Sequence, residues 1–344
     1  VIRIGDADDP RIEIYRDIRE LDLIRRHGHF IAEGKTVLQV LVAQDRFPVH
    51  SVLVLENRLA GIADLLAALP AQIPVYCATQ TVMDAIAGFH MHRGILAAAR
   101  IPDGSADLPM QLPPQWPTVL LLSAISNHDN MGAIFRNAAA FGADAVILDP
   151  QCCDPLYRKA VRVSVGGVLR VPFFRAPSMD AGVAALDRDK FAIAALSPAG
   201  KTDISNWRPA PRQALVLGSE GHGLADVWLE RLETLSIMMA PGFDSLNVAT
   251  AGAVAQRHSG GPAVTAALDE RLAAAGIPAA QINTTAQLVE HPQLHERDRW
   301  RAVSTPVASS RRKRSSAPSN ACTRTWRTFS RSSWTATAPA HDWS

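Results

Sequence analysis

Short apolar runs alternate with helical patterns over the first 105 or so residues. Residues 37–42 and 49–56 are apolar, 73–77 reads as a strand, and 60–68 and 82–86 repeat with helical period. This pattern predicts a small α/β domain. From residue 118 a second α/β pattern begins. Residues 119–123 form a continuous apolar run, as expected of a strand buried on both faces. Strands are predicted at 145–148, 171–174, 191–196, 214–217 and 236–239, and a helix at 130–141. Helical segments separate most of these strands, which argues for a mostly parallel sheet. Such sheets bind ligands beyond the carboxyl ends of their strands.

Between the two patterns, residues 106–117 carry four prolines, so they can continue neither a helix nor a central strand and form a linker or extended arm. After residue 256 the character changes again. The predicted division is therefore 1–105, 106–117, 118–256 and an atypical tail over 257–344. Residues 308–344 are rich in Ser, Arg, Thr, Ala and Trp, without apolar periodicity. That tail is expected to be largely disordered, either a fused or frameshifted addition or a basic arm that helps hold nucleic acid.

Composition is ordinary for a soluble globular chain, with 47% hydrophobic and 20% charged residues. No apolar run is long enough to span a bilayer, and the opening residues do not have the order of a secretory signal. The four cysteines, two of them adjacent (Cys152 and Cys153), lack metal-pair spacing and read as reduced thiols, so a cytoplasmic protein is expected. No cluster of His, Cys and acids has metal-ligand spacing, and no catalytic metal is expected. The formal charge of +2 conceals an asymmetry. Seven of the 35 basic and one of the 33 acidic residues fall in 311–344, leaving 28 basic against 32 acidic elsewhere. Nucleic acid binding by the body would need a local basic patch.

Three blocks carry candidate chemistry. Residues 130–136 (Asn-Met-Gly-Ala-Ile-Phe-Arg) follow a strand and open a helix that Asn130 can cap. Gly132 permits close backbone approach, and Arg136 can hold a phosphate bidentately or pair with a surface carboxylate. Residues 217–224 (Leu-Gly-Ser-Glu-Gly-His-Gly-Leu) end a strand in a tight turn that lacks both dinucleotide and P-loop spacing. Residues 237–248 (Ile-Met-Met-Ala-Pro-Gly-Phe-Asp-Ser-Leu-Asn-Val) lead into a last helix, with Ser245 and Asn247 as strong cap residues at its start.

In order and spacing these blocks resemble the three signature motifs of the SpoU/TrmH family of RNA 2′-O-ribose methyltransferases, in the SPOUT superfamily. The resemblance extends over residues from about 12 to 256. It includes 154–166, with Arg162 and Ser164 matching a recurrent Arg-x-Ser-x-Gly element, and 25–35 and 92–97, similar to the family's ribosomal-protein-like substrate-binding domain. It implies a trefoil-knotted α/β parallel sheet, a homodimer with the site near the subunit interface, and S-adenosylmethionine as cofactor. Asn130, Arg136, Glu220, Ser245 and Asn247 match catalytic-site positions. Leu217, Gly218, Ile237, Met239 and Leu246 match cofactor contacts, and His222 falls where members vary. An arginine pKa above about 12 makes Arg136 an awkward base, so gripping a phosphate and stabilising the developing alkoxide suit it better. Arg25, Arg26, Lys35 and Arg162 are expected to hold RNA phosphates, with Phe30 either stacking on a base or packing in the core.

The expected activity is methylation of a ribose 2′-hydroxyl in structured RNA, ribosomal RNA being favoured over transfer RNA. An inactive RNA-binding protein of the same fold is the alternative. Residues 265–305 resemble the C-terminal part of family III CoA-transferases but cannot form such an active site alone. Gly260, Gly261 and Pro262 are expected to end the last helix early, which bears on dimer strength.

Overall fold

The computed structural model describes residues 1–16, 23–24, 27–88, 90–242 and 245–259. The tail beyond Ser259, its CoA-transferase-like stretch, Arg25 and Arg26 all lie outside the described residues. No helix among those described is long and apolar enough to cross a membrane.

Two sheets organise the chain. The first has the order β1-β4-β3-β5-β2, built from β1 (Ile2–Ile4), β2 (His29–Glu33), β3 (Val49–Leu55), β4 (Val75–Ala78) and β5 (Ile95–Arg100). Helix α1 (Lys35–Gln44) follows β2, and α2 (Gln80–Ala87) follows β4. The apolar run at 37–42 is thus the inner face of α1, where Val37, Leu38, Val40 and Leu41 are buried. The helix expected over 60–68 is broken into Glu56–Leu59, a 3-10 turn at Ala60–Ile62, and Ala63–Ala67.

The second sheet has seven strands in the order β10-β12-β9-β11-β6-β7-β8, with every pair parallel. Its members are β6 (Thr118–Leu122), β7 (Ala145–Leu148), β8 (Phe173–Arg175), β9 (Ala192–Leu196), β10 (Thr202–Asp203), β11 (Gln213–Leu217) and β12 (Glu233–Ser236). The central strands alternate faces at period two. Leu120, Leu122, Leu215 and Leu217 enter a core shared with Phe30, Val52 and Val54 of the first sheet, whereas Val119, Leu121, Ala214 and Val216 enter a core on the opposite face. Phe30 is 1% exposed and meets Phe47 edge-on at 5.2 Å, so it packs in the core and offers no face to a base.

The helices that carry the signature blocks are α3 (His128–Phe141), α4 (Arg158–Val163) and α8 (Val248–Ser259), with α5 (Gly167–Arg170), α6 (Met179–Arg188) and α7 (Asp226–Arg231) completing the set. Residues 257–259, placed by composition in the tail, continue α8. His258 meets the Trp207 carbonyl at 3.1 Å, and Gln213 donates to the Ser259 carbonyl at 3.2 Å. The proline-rich segment lies along the second sheet. Leu112 is fully buried, and its N–H donates to Asp189 at 2.8 Å.

One predicted strand is displaced. The sequence pattern put it at 236–239, but β12 ends at Ser236, and Ile237 to Met239 pair with no strand. The described cysteines are free thiols. Burial pushes the Cys152 thiol well above its ordinary value, and burial together with Asp154 pushes Cys153 up to about 11.

Candidate active site

Strands β12, β9, β11 and β6 lie side by side, and the carboxyl ends of β12, β9 and β11 face one cavity of about 620 Å³. The loop after β11 supplies Gly218 to Leu224. The segment after β12 supplies Ile237 and Met239, and the approach to α8 supplies Ser245, Leu246 and Asn247. All five expected cofactor contacts, Leu217, Gly218, Ile237, Met239 and Leu246, line this cavity. Leu196, Ser197 and Pro198, at the end of β9, line it too. Sequence reasoning missed them because only the strand order puts β9 between β11 and β12.

The β11 loop closes on itself. Ser219 and Gly223 form a bridge, with the Gly223 N–H donating to the Ser219 carbonyl at 3.1 Å. Gly221 and Gly223 have φ of +86° and +66°, which L side chains rarely adopt. At Gly218 a Cβ would stand 2.5 Å from the Gly223 carbonyl carbon. That position excludes any side chain before a ligand is considered.

Asn247 is the hub of the site. Its Oδ1 accepts from the N–H groups of Ala249 (3.0 Å) and Thr250 (3.2 Å), which caps α8. Its Nδ2 donates to Asn130 Oδ1 at 2.8 Å and to Glu220 Oε1 at 2.9 Å. One residue from each signature block therefore meets in a single hydrogen-bonded cluster. Asn130 is not the cap of α3. Asn127 is, accepting from the Asp129 N–H at 2.7 Å and the Asn130 N–H at 3.3 Å. The cap lies one turn earlier than expected, which frees the Asn130 side chain, 7% exposed, to accept from Asn247.

Close helix packing holds this arrangement. A Cβ at Gly132 would meet the Ala160 carbonyl oxygen at 2.7 Å, so α4 presses directly on α3. On the other side Asn137 donates to the Ala249 carbonyl at 2.9 Å, tying α3 to α8. Ser164 is buried and works within its own turn, donating to the Val161 carbonyl at 2.9 Å and accepting from the Val168 N–H at 3.3 Å.

Asp149, at the end of β7, was not singled out by any motif. Its buried carboxylate accepts from Ser123 Oγ (2.8 Å) and from the N–H groups of Ala124 (3.1 Å), Gln151 (2.9 Å) and Cys152 (3.1 Å). It anchors the loop that delivers α3, including Ala124 at φ +54°. Replacing Asp149 by alanine would strand those donors. We expect a loss of about 2–3 kcal/mol in stability by denaturant unfolding; a loss below about 0.5 kcal/mol would show that water replaces the carboxylate.

Arg136 does not line the cavity. It is exposed on α3, about 9 Å along the axis from Asn130 and about 120° around it. Among the described residues it has no ion-pair partner, so the surface salt bridge considered for it is not formed. Lys35 and Arg162 line a different cavity, and Arg162 faces Glu33 at 3.7 Å. His222 is exposed at the rim of the first cavity. Among the described residues, no group of three His, Cys, Asp or Glu is placed to hold a metal ion.

Among the described residues, the lining of the first cavity contains no Lys or Arg and one carboxylate, Glu220. Leu196, Leu217, Leu235, Ile237 and Leu246 supply apolar walls, and backbone groups of the glycine loop supply polar edges. This chemistry suits an uncharged or cationic ligand with a flat ring, and disfavours a phosphorylated one.

Residues 117–256 match the model of the SpoU rRNA Methylase family. A protein of Mycobacterium bovis, named an uncharacterized tRNA/rRNA methyltransferase, is 39% identical over 262 residues, covering 73% of this chain and 89% of the relative. A Synechocystis protein with the same description is 27% identical, over 73% of this chain and 90% of its own length. Among solved structures, the AdoMet-bound rRNA methyltransferase from Sinorhizobium meliloti matches with a TM-score of 0.65 at 20% identity, over 75% of this chain and 96% of that one. The SpoU methyltransferase AviRb from Streptomyces viridochromogenes, in complex with AdoMet, matches with a TM-score of 0.64 at 21% identity, over 77% and 98%. These structures share the fold.

Proposed function

Because the chain belongs to the SpoU rRNA methylase family, we propose that it is an RNA methyltransferase that moves the methyl group of S-adenosylmethionine to a ribose 2′-hydroxyl in structured RNA. The observation that carries this reading is the Asn130–Asn247–Glu220 cluster at the mouth of a cavity without basic residues.

The cofactor's chemistry fits the lining. S-adenosylmethionine, when bound, supplies an electrophilic methyl group on a cationic sulfonium, together with a neutral adenine. Leu217, Ile237 and Leu246 give apolar contact to the ring. The Gly218 backbone would allow close approach, and Met239 adds to the lining. Glu220, the one carboxylate among the described lining residues, would balance the positive charge. Asn247 and Ser245 stand where a ribose hydroxyl would be oriented, and Asn130 holds the Asn247 amide in place through its Oδ1. A guanidinium, permanently charged, suits Arg136 to stabilise a developing alkoxide and the adjacent phosphate rather than to remove the proton.

A homodimer belongs to this reading. Met238 is 82% exposed, and Leu246 and Val254 are about 40% exposed, large apolar side chains that a second copy would cover. The packing of α8 against α3 supports the knotted path that the family implies. Two of the four expected RNA contacts, Lys35 and Arg162, share one cavity, which supports a role for the N-terminal sheet in holding RNA. Ribosomal RNA is the favoured substrate.

The direct test incubates the full chain with labelled S-adenosylmethionine and, separately, unmodified ribosomal and transfer RNA, followed by nucleoside mass spectrometry. A new 2′-O-methylnucleoside in one pool is expected. A methyl group found only on a base, or silence in both pools with cofactor binding retained, would sink the proposal; the latter outcome would favour an inactive RNA-binding protein.

A further inference from the structure

A second cavity, of about 660 Å³, has chemistry opposite to that of the first. Among the described residues, Lys35, Arg58, Arg93 and Arg162 line it, against a single carboxylate, Glu33. The first three come from the N-terminal sheet region, and Arg162 comes from α4, the helix that presses on α3 beneath Asn130.

Arg162 is ion-paired with Glu33, whereas the other three cations are not neutralised by a carboxylate among the described residues. Lys35 Nζ donates to the Gly61 carbonyl at 2.7 Å, and Arg58 Nη2 donates to the His92 carbonyl at 3.3 Å. Neither pairs with a carboxylate among the described residues. Arg93 lies across the Gly34 backbone, where a Cβ at position 34 would stand 3.3 Å from its Nη1. Gly34 has φ +98° and ψ 156°, a conformation open to glycine, and it precedes α1 with no side-chain cap. The first-turn N–H groups of α1, at Lys35, Thr36 and Val37, border the cavity and have no intrahelical acceptor. Three cations and an uncapped helix start thus line one cavity, a set of donors that suits a phosphate.

Glu33 adds a second requirement. Its side chain is 7% exposed, and its Oε2 has no hydrogen-bond donor; Arg162 Nη1 lies at 3.7 Å, beyond hydrogen-bond range. A buried carboxylate oxygen without a donor is costly. A ligand carrying a donor close to its phosphate would relieve this, and a nucleotide has both, in its ribose hydroxyl or base amino group beside the phosphate.

We propose that this cavity holds one nucleotide of the RNA strand, with its phosphate at the start of α1 among Lys35, Arg58 and Arg93, and with a sugar or base donor turned to Glu33. The site rests on the reading of the chain as an RNA-modifying enzyme, and it supplies a grip on the substrate separate from the reacting ribose. Arg162 links the two, since it faces Glu33 on one side and its helix supports α3 on the other.

The test uses the full chain with four probes: ribosomal RNA, transfer RNA, adenosine 5′-monophosphate and inorganic phosphate. Arg93→Ala and Arg58→Ala, both at exposed positions, are expected to weaken RNA binding at least about tenfold. Each should lower the slope of log affinity against log salt by about one. Adenosine 5′-monophosphate should compete with RNA in the wild-type chain. Glu33→Gln should weaken the mononucleotide about tenfold and leave inorganic phosphate no weaker; equal effects on both would reduce Glu33 to a structural role and overturn its part. If the wild-type chain methylates RNA while Arg93→Ala and Arg58→Ala bind it as tightly, the nucleotide site is wrong and the proposed function stands. If the wild-type chain binds neither RNA, both fall. Competition by the mononucleotide without loss in the arginine variants would place the nucleotide elsewhere and overturn the site.

Discussion

Arg136→Ala is expected to lower kcat by about 10²–10³-fold, the cost of removing one donor from a preorganised oxyanion site, with affinity for S-adenosylmethionine unchanged. The reasoning is geometric as well as chemical. Arg136 is exposed, lies outside the cofactor cavity of its own chain, and has no ion-pair partner among the described residues. A cation so placed contributes little to the fold, so its loss should leave the unfolding curve within about 0.5 kcal/mol of wild type. Lysine at this position should restore only part of the rate, because it keeps the charge and loses the planar fork. Single-turnover rates with saturating RNA separate this effect from weakened binding. A wild-type rate in Arg136→Ala would remove the residue from the mechanism.

The second large effect is expected at Asn247. Its amide does two separable jobs, with the oxygen capping α8 and the nitrogen joining Asn130 to Glu220. Asn247→Asp keeps the first job and destroys the second. Aspartate caps helices as well as asparagine does. Its second carboxylate oxygen would face two acceptors, Asn130 Oδ1 and Glu220 Oε1, where the amide now donates at 2.8 and 2.9 Å. Two hydrogen bonds are lost and two like charges are brought together, for a cost of about 1–3 kcal/mol in stability and a kcat reduced about 100-fold or more.

The sign of the pH dependence follows from the pair of carboxylates. Each raises the other's pKa, so the ionised pair destabilises the variant above its raised pKa. As pH falls through that range, the introduced carboxyl group takes up a proton, regains a donor, and the gap to wild type narrows. Asn247→Ala behaves differently, because it also loses the cap, at about 0.5–2 kcal/mol, and acid cannot rescue it. An Asn247→Asp variant whose stability deficit is flat with pH would show that the cluster carries no such coupling.

Mixing the two variants tests the proposed dimer. If Arg136 of one protomer serves the cavity of its partner, reassorted mixed dimers of Arg136→Ala and Asn247→Asp recover one intact site each, or about a quarter of all sites in an equal mixture. If each chain is self-contained, mixing recovers nothing.

Much of this was legible in the chain. Continuous apolar runs bounded by turn residues located β6, β7 and β11 to within about a residue, because a strand buried on both faces has no polar positions to confuse it. The glycine-rich block after β11 announced a tight loop, since Gly221 and Gly223 adopt angles closed to other residues. The cavity's cofactor-side residues were also legible, because backbone-lined sites are written as motifs along the chain. The cap of α3 was placed at Asn130 because asparagine is a strong cap anywhere near a helix start. Asn127 takes that role instead, and the register shift turns Asn130 inward.

What the sequence determined by itself is the content of each element: which segments are strands, which turns need glycine, and which three blocks carry polar side chains beyond a strand end. These are local consequences of burial and backbone angle. What only the tertiary structure decided is who meets whom. Asn130, Glu220 and Asn247 are separated by up to 117 positions, and one amide group joins them because strand order brings the ends of β6, β11 and β12 to one edge. Asp149 and Ser197 entered the picture for the same reason. Glu33 and Arg162, 129 positions apart, face each other because α4 folds back against β2. Such pairings depend on crossover connections whose geometry is set by packing over the whole sheet, and no local pattern along the chain encodes them.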